Sequence, residues 1–185
     1  MRESLLEYLL FFLERPSVTG AEKDLCNDLE ARILTSPGWE IERVSNNLAV
    51  HREEQDPSIP KVVLAGHLDT VPEPEGGIEV RVEGDRVYGR GASDMKAGDA
   101  VMLALLEGFP QEKSRFEPLF VFYEREEGPY VENGLEAVFA GCPWVLDAGL
   151  ALLPEPTAAT LEVGCVGTSQ VEVTFRGRSA HAARP

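Results

Sequence analysis

Residues 61–69 of the chain read KVVLAGHLD, and this stretch decides the fold. The apolar run at 62–65 is typical of a strand that is buried on both faces of a sheet. His67 and Asp69 follow it and share one face of an extended backbone, because they are two residues apart. Ligands of α/β proteins bind at the carboxyl ends of strands, so this exit is a candidate site. A purely structural His–Asp pair is the alternative interpretation.

Outward from this strand, further apolar runs alternate with segments of helical periodicity. The predicted strands cover residues 39–44, 48–51, 61–65, 80–82, 86–88, 119–123 and 148–153, with turns at Asn46-Asn47 and Gly84-Asp85. The predicted helices cover residues 2–14, about 20–34 with a cap at Thr19 or Gly20, 95–109 and 134–140. This alternation predicts an α/β fold with a three-layer αβα sheet that is mostly parallel, with the run at 148–153 as another buried strand.

The pattern changes after Pro156, which indicates a domain boundary. Residues 161–163 and 169–175 alternate apolar and polar side chains, as half-exposed antiparallel strands do. We predict one domain at 1–163 and the beginning of a second, incomplete domain at 164–185. Because about 20 residues cannot bury a core, we expect the chain to be the front part of a longer protein or to be completed by a partner.

Composition limits the classes of partner. The 185 residues carry 32 acids against 17 Lys and Arg, a net charge of −15, and 43% of them are hydrophobic. This charge disfavours nucleic-acid and membrane partners, and no apolar stretch approaches the roughly 20 residues of a spanning helix. Cys26, Cys142 and Cys165 are odd in number and form no CxxC pair, which favours buried, reduced thiols and a cytoplasmic location.

Acidic residues follow the other predicted strands and loops. Asp94 lies in GRGASDMK at 89–96, where it replaces the last glycine of a dinucleotide loop and would repel a pyrophosphate. Glu126 and Glu127 lie in YEREEG at 123–128, and Glu155 lies in LPEPT at 153–157. A helix cap, a solvated acidic loop and a surface turn are the respective alternatives. Together with His67 these acids form a nitrogen and oxygen donor set that suits Zn²⁺, Co²⁺ or Mn²⁺.

Five motifs in this order and spacing resemble the dinuclear zinc amidohydrolases and exopeptidases. They are GHLDTVP at 66–72, YGRGASDMKAG at 88–98, EREEG at 124–128, LPEPT at 153–157 and RGRSAHAARP at 176–185. The resemblance spans residues 62–185. Details at 83–86, 121–123, 164–168 and around His181 are most similar to succinyl-diaminopimelate desuccinylases of the actinobacterial type.

The resemblance implies two Zn²⁺, or Co²⁺ or Mn²⁺, in each complete subunit. His67 and Glu155 would bind the first metal, Glu127 would bind the second, and Asp94 would bridge both. The family often has a cis peptide after the bridging residue, here between Asp94 and Met95. The last family ligand is a histidine that lies beyond Pro185, so we expect the 185-residue chain alone to be inactive or weakly active.

The resemblance also implies catalytic roles. Asp69 would orient the His67 imidazole, and Glu126 would be the general base, although Arg125 stands where many relatives have Asp. The second domain would be an inserted α+β lid and dimerisation domain, and His181 would reach from it across a homodimer to stabilise the oxyanion. Its basic neighbours at 176, 178 and 184 suit an anionic group, with a basic surface loop as the alternative.

The implied reaction is hydrolysis of an N-acyl amide in a small molecule. The favoured substrate is N-succinyl-LL-diaminopimelate, an intermediate of lysine and cell-wall precursor synthesis. The alternatives are an acetylornithine deacetylase-like or glutamate-carboxypeptidase-like relative with the same metals, and a non-catalytic metal-binding or dimerising module.

Overall fold

A central five-stranded sheet with helices on both faces organises the chain. The computed structural model describes residues 4–110, 114–164, 171–178 and 183. The helices are α1 (Leu5–Leu13), α2 (Lys23–Ile33), α3 (Lys96–Gly108) and α4 (Gly134–Gly141). The strands are β1 (Trp39–Val44), β2 (Asn47–Arg52), β3 (Lys61–His67), β4 (Arg81–Glu83), β5 (Arg86–Tyr88), β6 (Glu117–Tyr123) and β7 (Leu150–Leu152).

The sheet has the strand order β1-β2-β6-β3-β7, and β4 and β5 form a separate hairpin. β3 pairs in parallel with both β6 and β7, whereas β2 is antiparallel to both of its neighbours. Four of the five strands therefore run in one direction, which confirms the mostly parallel sheet. In the β3–β6 register His67 lies opposite Tyr123, so the segments that follow these two residues leave the sheet at the same end.

Successive side chains along a strand point to opposite faces of the sheet, and this divides the core into two layers. On β6, Phe120 and Phe122 pack with apolar side chains of α1, α2 and α3. Leu119 and Val121 pack on the opposite face with α4 and the 3₁₀ turn Pro143–Asp147. Both faces of this strand are covered, which explains its continuous apolar run and confirms the three-layer αβα architecture.

Two predicted boundaries were wrong by a few residues, and both errors lie near the site. α2 begins at Lys23, because Thr19 binds Asp69 through its hydroxyl instead of capping the helix. In the first hairpin Val44 lies opposite Asn47, so Ser45 and Asn46 form the turn. Asn47 is a strand residue, 1% exposed.

The prediction of a buried strand at 148–153 was wrong in its burial. β7 forms, but Leu150 is 54% exposed and Leu152 is 39% exposed, because β7 is the last strand of the sheet among the described residues. The two alternating segments do not form strands where the structure describes them, at 161–163 and 171–175. Alternation produces a strand only where a neighbouring strand accepts its hydrogen bonds, and none pairs with these described residues.

Cys26 and Cys142 are free and buried, as predicted, whereas Cys165 lies outside the described residues. Burial raises the pKa of the Cys26 thiol to about 12 and that of Cys142 to about 11. Both thiols are therefore protonated at neutral pH and fill space as small apolar groups. In the described part of the chain, no helix has both the length and the apolarity to cross a membrane. The division into domains at 163/164 stays a prediction.

Candidate metal centre

The predicted first-metal ligands lie together at the end of β3. His67 is the last residue of that strand, and its side chain is 1% exposed. Its Nε2 atom lies 3.2 Å from Asp94 Oδ1 and 4.0 Å from Glu155 Oε1. One ligand atom from each of the three residues lies within 4.8 Å of the others, a spacing that a single metal ion can bridge.

A second group shares the same imidazole. His67, Glu126 and Glu127 also offer ligand atoms within 4.8 Å of one another. Asp94 and Glu127 line one groove, and the negative charge of Asp94 contributes to raising the pKa of Glu127, after burial of that carboxyl. The role of Asp94 as a bridge between two metals stays a prediction. Asp94 belongs to the first group only, and the residue that the two groups share is His67.

The His67 ring is oriented through its other nitrogen. Nδ1 lies 2.9 Å from the main-chain oxygen of Asp69 and 3.5 Å from Asp69 Oδ1. A hydrogen on Nδ1 that is donated to this carbonyl leaves Nε2 as the metal-binding atom. Burial lowers the pKa of His67, but Asp69 and the charges of Asp99 and Glu155 outweigh it and raise the pKa to about 10. A metal ion that binds Nε2 would displace the proton that this nitrogen carries in the charged imidazole.

The Asp69 carboxylate has a further structural role that the sequence did not reveal. It is fully buried and accepts hydrogen bonds from the backbone N–H groups of Glu126, at 2.9 Å, and Glu127, at 3.1 Å. The Thr19 hydroxyl donates a third, at 2.8 Å. Burial raises the pKa of Asp69, but these bonds and His67 outweigh burial and lower it. Asp69 therefore fixes the acidic loop as well as facing the imidazole.

Among the described residues, several acidic side chains converge around His67. Burial and neighbouring acids raise the pKa of Glu155, and the charge of His67 only partly opposes them. Carboxylates that repel one another at short range are stabilised by a divalent cation. The donor chemistry, one imidazole nitrogen and several carboxylate oxygens, fits Zn²⁺, Co²⁺ or Mn²⁺.

The segment before α3 brings Asp94 to His67. The Asp94–Met95 peptide is cis, as expected. Met95 is fully buried, and its sulfur accepts the backbone N–H of His67 at 3.1 Å. Lys96 is 1% exposed, and its Nζ donates to the carbonyl oxygens of Phe12 and Arg15, at 3.0 and 2.8 Å. The Asp94 segment is thus fixed on one side to β3 and on the other to the end of α1.

Asp99 is a residue near the site that the sequence motifs did not predict. This residue is fully buried beneath the site, and neither carboxylate oxygen has a hydrogen-bond partner among the described residues. Burial raises the pKa of Asp99 well above its usual range, although His67 and Lys96 partly oppose the change. The sequence does contain a signal for this residue. Asp99 is charged, yet it lies on the same helical stripe as the apolar residues Met102, Leu103 and Leu106.

A groove of about 450 Å³ opens beside Asp94 and Glu127. Thr70, Arg90 and Ser93 also line it. The Nε atom of Arg90 is buried and has no hydrogen-bond partner among the described residues. The groove therefore combines the acidic cluster with a cation that suits a carboxylate. His181 lies outside the described residues, whereas its neighbours Arg176 and Arg178 are described and exposed.

Comparison with known sequences identifies the class of protein. A sequence model of the peptidase family M20/M25/M40 matches residues 63–184. The matched region includes every predicted site residue, from His67 to His181. The chain belongs to this family.

Two curated relatives are similar to this chain over most or all of its length. The succinyl-diaminopimelate desuccinylase of Corynebacterium glutamicum is 38% identical over 172 residues, which cover 91% of this chain and 46% of that protein. A protein of Mycobacterium tuberculosis is 36% identical over 185 residues, which cover 100% of this chain and 51% of that protein. The chain thus spans about half the length of the curated relatives it matches.

Solved structures confirm the fold class. A tripeptidase of Staphylococcus aureus superposes with a TM-score of 0.65 and 25% identity, over 80% of this chain and 42% of that one. An M20 family metallo-carboxypeptidase of Sulfolobus solfataricus superposes with a TM-score of 0.64 over 82% of this chain and 37% of that one. At 19% identity the second likeness concerns the fold alone.

Proposed function

We propose that this chain provides metal-binding and catalytic residues of a hydrolase that cleaves an N-acyl amide, with N-succinyl-LL-diaminopimelate as substrate. The observation that carries the proposal is the convergence of His67 with Asp94 and Glu155 on one side and with Glu126 and Glu127 on the other. A purely structural His–Asp pair does not require four further carboxylates around the same imidazole. The similarity to the Corynebacterium glutamicum desuccinylase supports the choice of substrate.

The proposed mechanism assigns separate tasks to these residues. Four residues would hold two divalent cations, which would supply Lewis-acid activation of water and of the amide carbonyl when bound: His67, Asp94, Glu127 and Glu155. Glu126 accepts a proton from the attacking water and transfers it to the leaving amine. Asp69 keeps Glu126 and Glu127 in place through their backbone N–H groups.

The groove supports an anionic substrate. Arg90 lines it together with Asp94 and Glu127, so a substrate carboxylate that binds Arg90 would lie beside the reacting amide. N-succinyl-diaminopimelate carries carboxylates at both ends, whereas N-acetylornithine has an uncharged acyl group. This difference favours the desuccinylase over the acetylornithine deacetylase-like alternative.

Turnover of the two substrates by the full-length protein tests the proposal. With Zn²⁺ or Co²⁺ added, we expect the kcat/KM for N-succinyl-LL-diaminopimelate to exceed that for N-acetylornithine by at least about 100-fold, as two missing charge-assisted hydrogen bonds would produce. The reverse preference would assign the protein to the deacetylase-like alternative. Binding of one metal with no turnover of either compound would favour the non-catalytic module.

We further propose that the complete protein is a cytoplasmic homodimer that dimerises through the lid domain, with His181 of one subunit stabilising the oxyanion in the other. A 185-residue chain without a complete lid should then hydrolyse the substrate more slowly than the full-length protein. Equal rates in a zinc-supplemented assay would contradict this part of the proposal.

A further inference from the structure

The loop that carries Glu126 and Glu127 is held by its backbone. Four consecutive N–H groups each donate to a side chain from another part of the chain. The acceptors are Asn47 Oδ1 for Glu124, at 2.9 Å, Glu22 Oε1 for Arg125, at 3.3 Å, Asp69 Oδ1 for Glu126, at 2.9 Å, and Asp69 Oδ2 for Glu127, at 3.1 Å. The position of the two acids therefore depends on three residues that are not themselves members of the metal groups, Glu22, Asn47 and Asp69.

Glu22 is the unexpected member of this set. It is 0% exposed and occupies the N-cap position of α2, yet its side chain makes no capping bond to that helix. Oε1 instead accepts the N–H groups of Gly20, at 2.8 Å, and Arg125. Oε2 is buried without a hydrogen-bond partner among the described residues. Burial of an incompletely paired carboxyl is unfavourable, so a simple helix start does not explain this residue.

The backbone of Arg125 shows what Glu22 stabilises. Arg125 has a φ of 62°, which is unfavourable for a residue with a Cβ atom. This conformation turns the chain after Glu124, so that the next two N–H groups reach Asp69. The Arg125 guanidinium pairs with Glu132. The Arg125 side chain therefore does not hold its own backbone in this conformation. The hydrogen bond from the Arg125 N–H to Glu22 does so.

We infer that Glu22 is a positioning residue, which holds the left-handed turn at Arg125 and thereby sets the geometry of Glu126 and Glu127. This inference rests on the proposed function for the roles of those two acids. The hydrogen bonds themselves do not depend on it. The residue acts only through the loop, and its removal should affect rate and metal affinity more than substrate binding.

Four variants of the full-length protein test this inference. Glu22→Ala removes the acceptor of the Arg125 N–H. Glu22→Asp shortens the side chain by one methylene and so moves the acceptor away from that N–H. Glu22→Gln retains an oxygen for the Arg125 N–H. Asp24→Ala is the matched control, because Asp24 is exposed in the first turn of the same helix.

We expect Glu22→Ala and Glu22→Asp to lower kcat and the affinity for Co²⁺ by about 10- to 100-fold, as losses of residues that support metal ligands do. KM should change by less than about threefold, because Glu22 is fully buried and is not among the residues that line the groove. Glu22→Gln should stay within about fivefold of the parent protein, since its amide oxygen retains the hydrogen bond. Asp24→Ala should match the parent.

Co²⁺ titration followed by visible absorption separates this role from a general loss of folding, because it reports the affinity of the folded molecules. If Glu22→Ala and Glu22→Asp bind Co²⁺ as Asp24→Ala does, and lose activity only in proportion to their unfolded fraction, the inference is wrong. If Glu22→Ala does not fold, the Co²⁺ affinities of Glu22→Asp and Glu22→Gln decide the question. Equal affinities would contradict the inference. An inactive parent protein would refute the proposed function, and the Co²⁺ affinities would still decide this inference.

Discussion

At the scale of single residues, Glu126 has the most specific proposed role. Its backbone is fixed by Asp69, and its carboxylate lies with Glu127 near His67. We expect Glu126→Gln to lower kcat by about 10²- to 10⁴-fold, because the amide cannot carry the transferred proton. Metal content, measured by elemental analysis, should stay that of the parent. Glu136→Gln, an exposed acid in α4, is the control, and an equal kcat in both variants would exclude the general-base role.

Asp99 permits a prediction about stability and pH. The usual pKa of an aspartate is 3.8, and burial raises the pKa of Asp99 well above it. Between the two values the folded chain retains a proton that the unfolded chain has lost, so rising pH reduces stability through this group. Asp99→Asn stays neutral and avoids this loss. In metal-free protein at pH 8, its free energy of unfolding should therefore exceed that of the parent.

Urea denaturation at pH 5 and pH 8 measures the Asp99 effect. The difference between Asp99→Asn and the parent should be smaller at pH 5, where the folded parent retains the proton. A difference that does not change with pH would show that Asp99 contributes by shape and not by its ionisation.

At the scale of elements, α3 packs closely against the segment before Glu155 at Gly98. A Cβ atom there would lie 2.3 Å from the main-chain oxygen of Pro154. We expect Gly98→Ala to lower the free energy of unfolding by about 1–3 kcal/mol, as overpacking does. Metal affinity should also fall, because the displaced segment carries Glu155.

Gly108 provides the matched control in the same helix. A Cβ atom at Gly108 meets nothing within 4 Å, and Gly108→Ala should stabilise the helix by up to about 1 kcal/mol. Thermal unfolding of the two variants, with and without Zn²⁺, checks both statements. If both substitutions stabilise the protein equally, the contact between α3 and Pro154 is not tight in solution.

The sequence predicted those elements whose burial is decided locally. The apolar run of β6 and the polar residues after β3 indicated a covered strand and a site at its end, and His67 and the acids lie there together. The run at 148–153 has the same apolar pattern as β6. A strand is buried, however, only where other elements cover it, and a local sequence pattern does not reveal this. Glu22 and Asn47 were missed for a related reason. Their partners, Arg125 and Glu124, are distant in sequence, and hydrogen bonds between side chains and distant backbone leave no periodic signal.

At the scale of the whole molecule, metal binding should stabilise the folded chain. The carboxylates around His67 converge only in the folded state, so a cation that binds them shifts the unfolding equilibrium. At a free Zn²⁺ concentration 100 times the Kd, the free energy of unfolding of the 185-residue chain should rise by about 2.7 kcal/mol. Mg²⁺, which prefers six oxygen ligands, should have a smaller effect.

Thermal unfolding at increasing Zn²⁺ concentration measures this gain, and a chelator should reverse it. Asp94→Asn should reduce the gain, because Asp94 Oδ1 is the carboxylate oxygen closest to His67 Nε2. A midpoint that does not respond to Zn²⁺ in the parent chain would contradict the assignment of these residues as metal ligands.

The position of β7 has a consequence for handling the protein. Within the described residues, β7 pairs with β3 alone, and its leucines are exposed. Unpaired peptide groups beside exposed apolar side chains recruit strands from other molecules. Samples of this chain should therefore self-associate as their concentration rises, and lysine in place of Leu152 should delay the onset of turbidity.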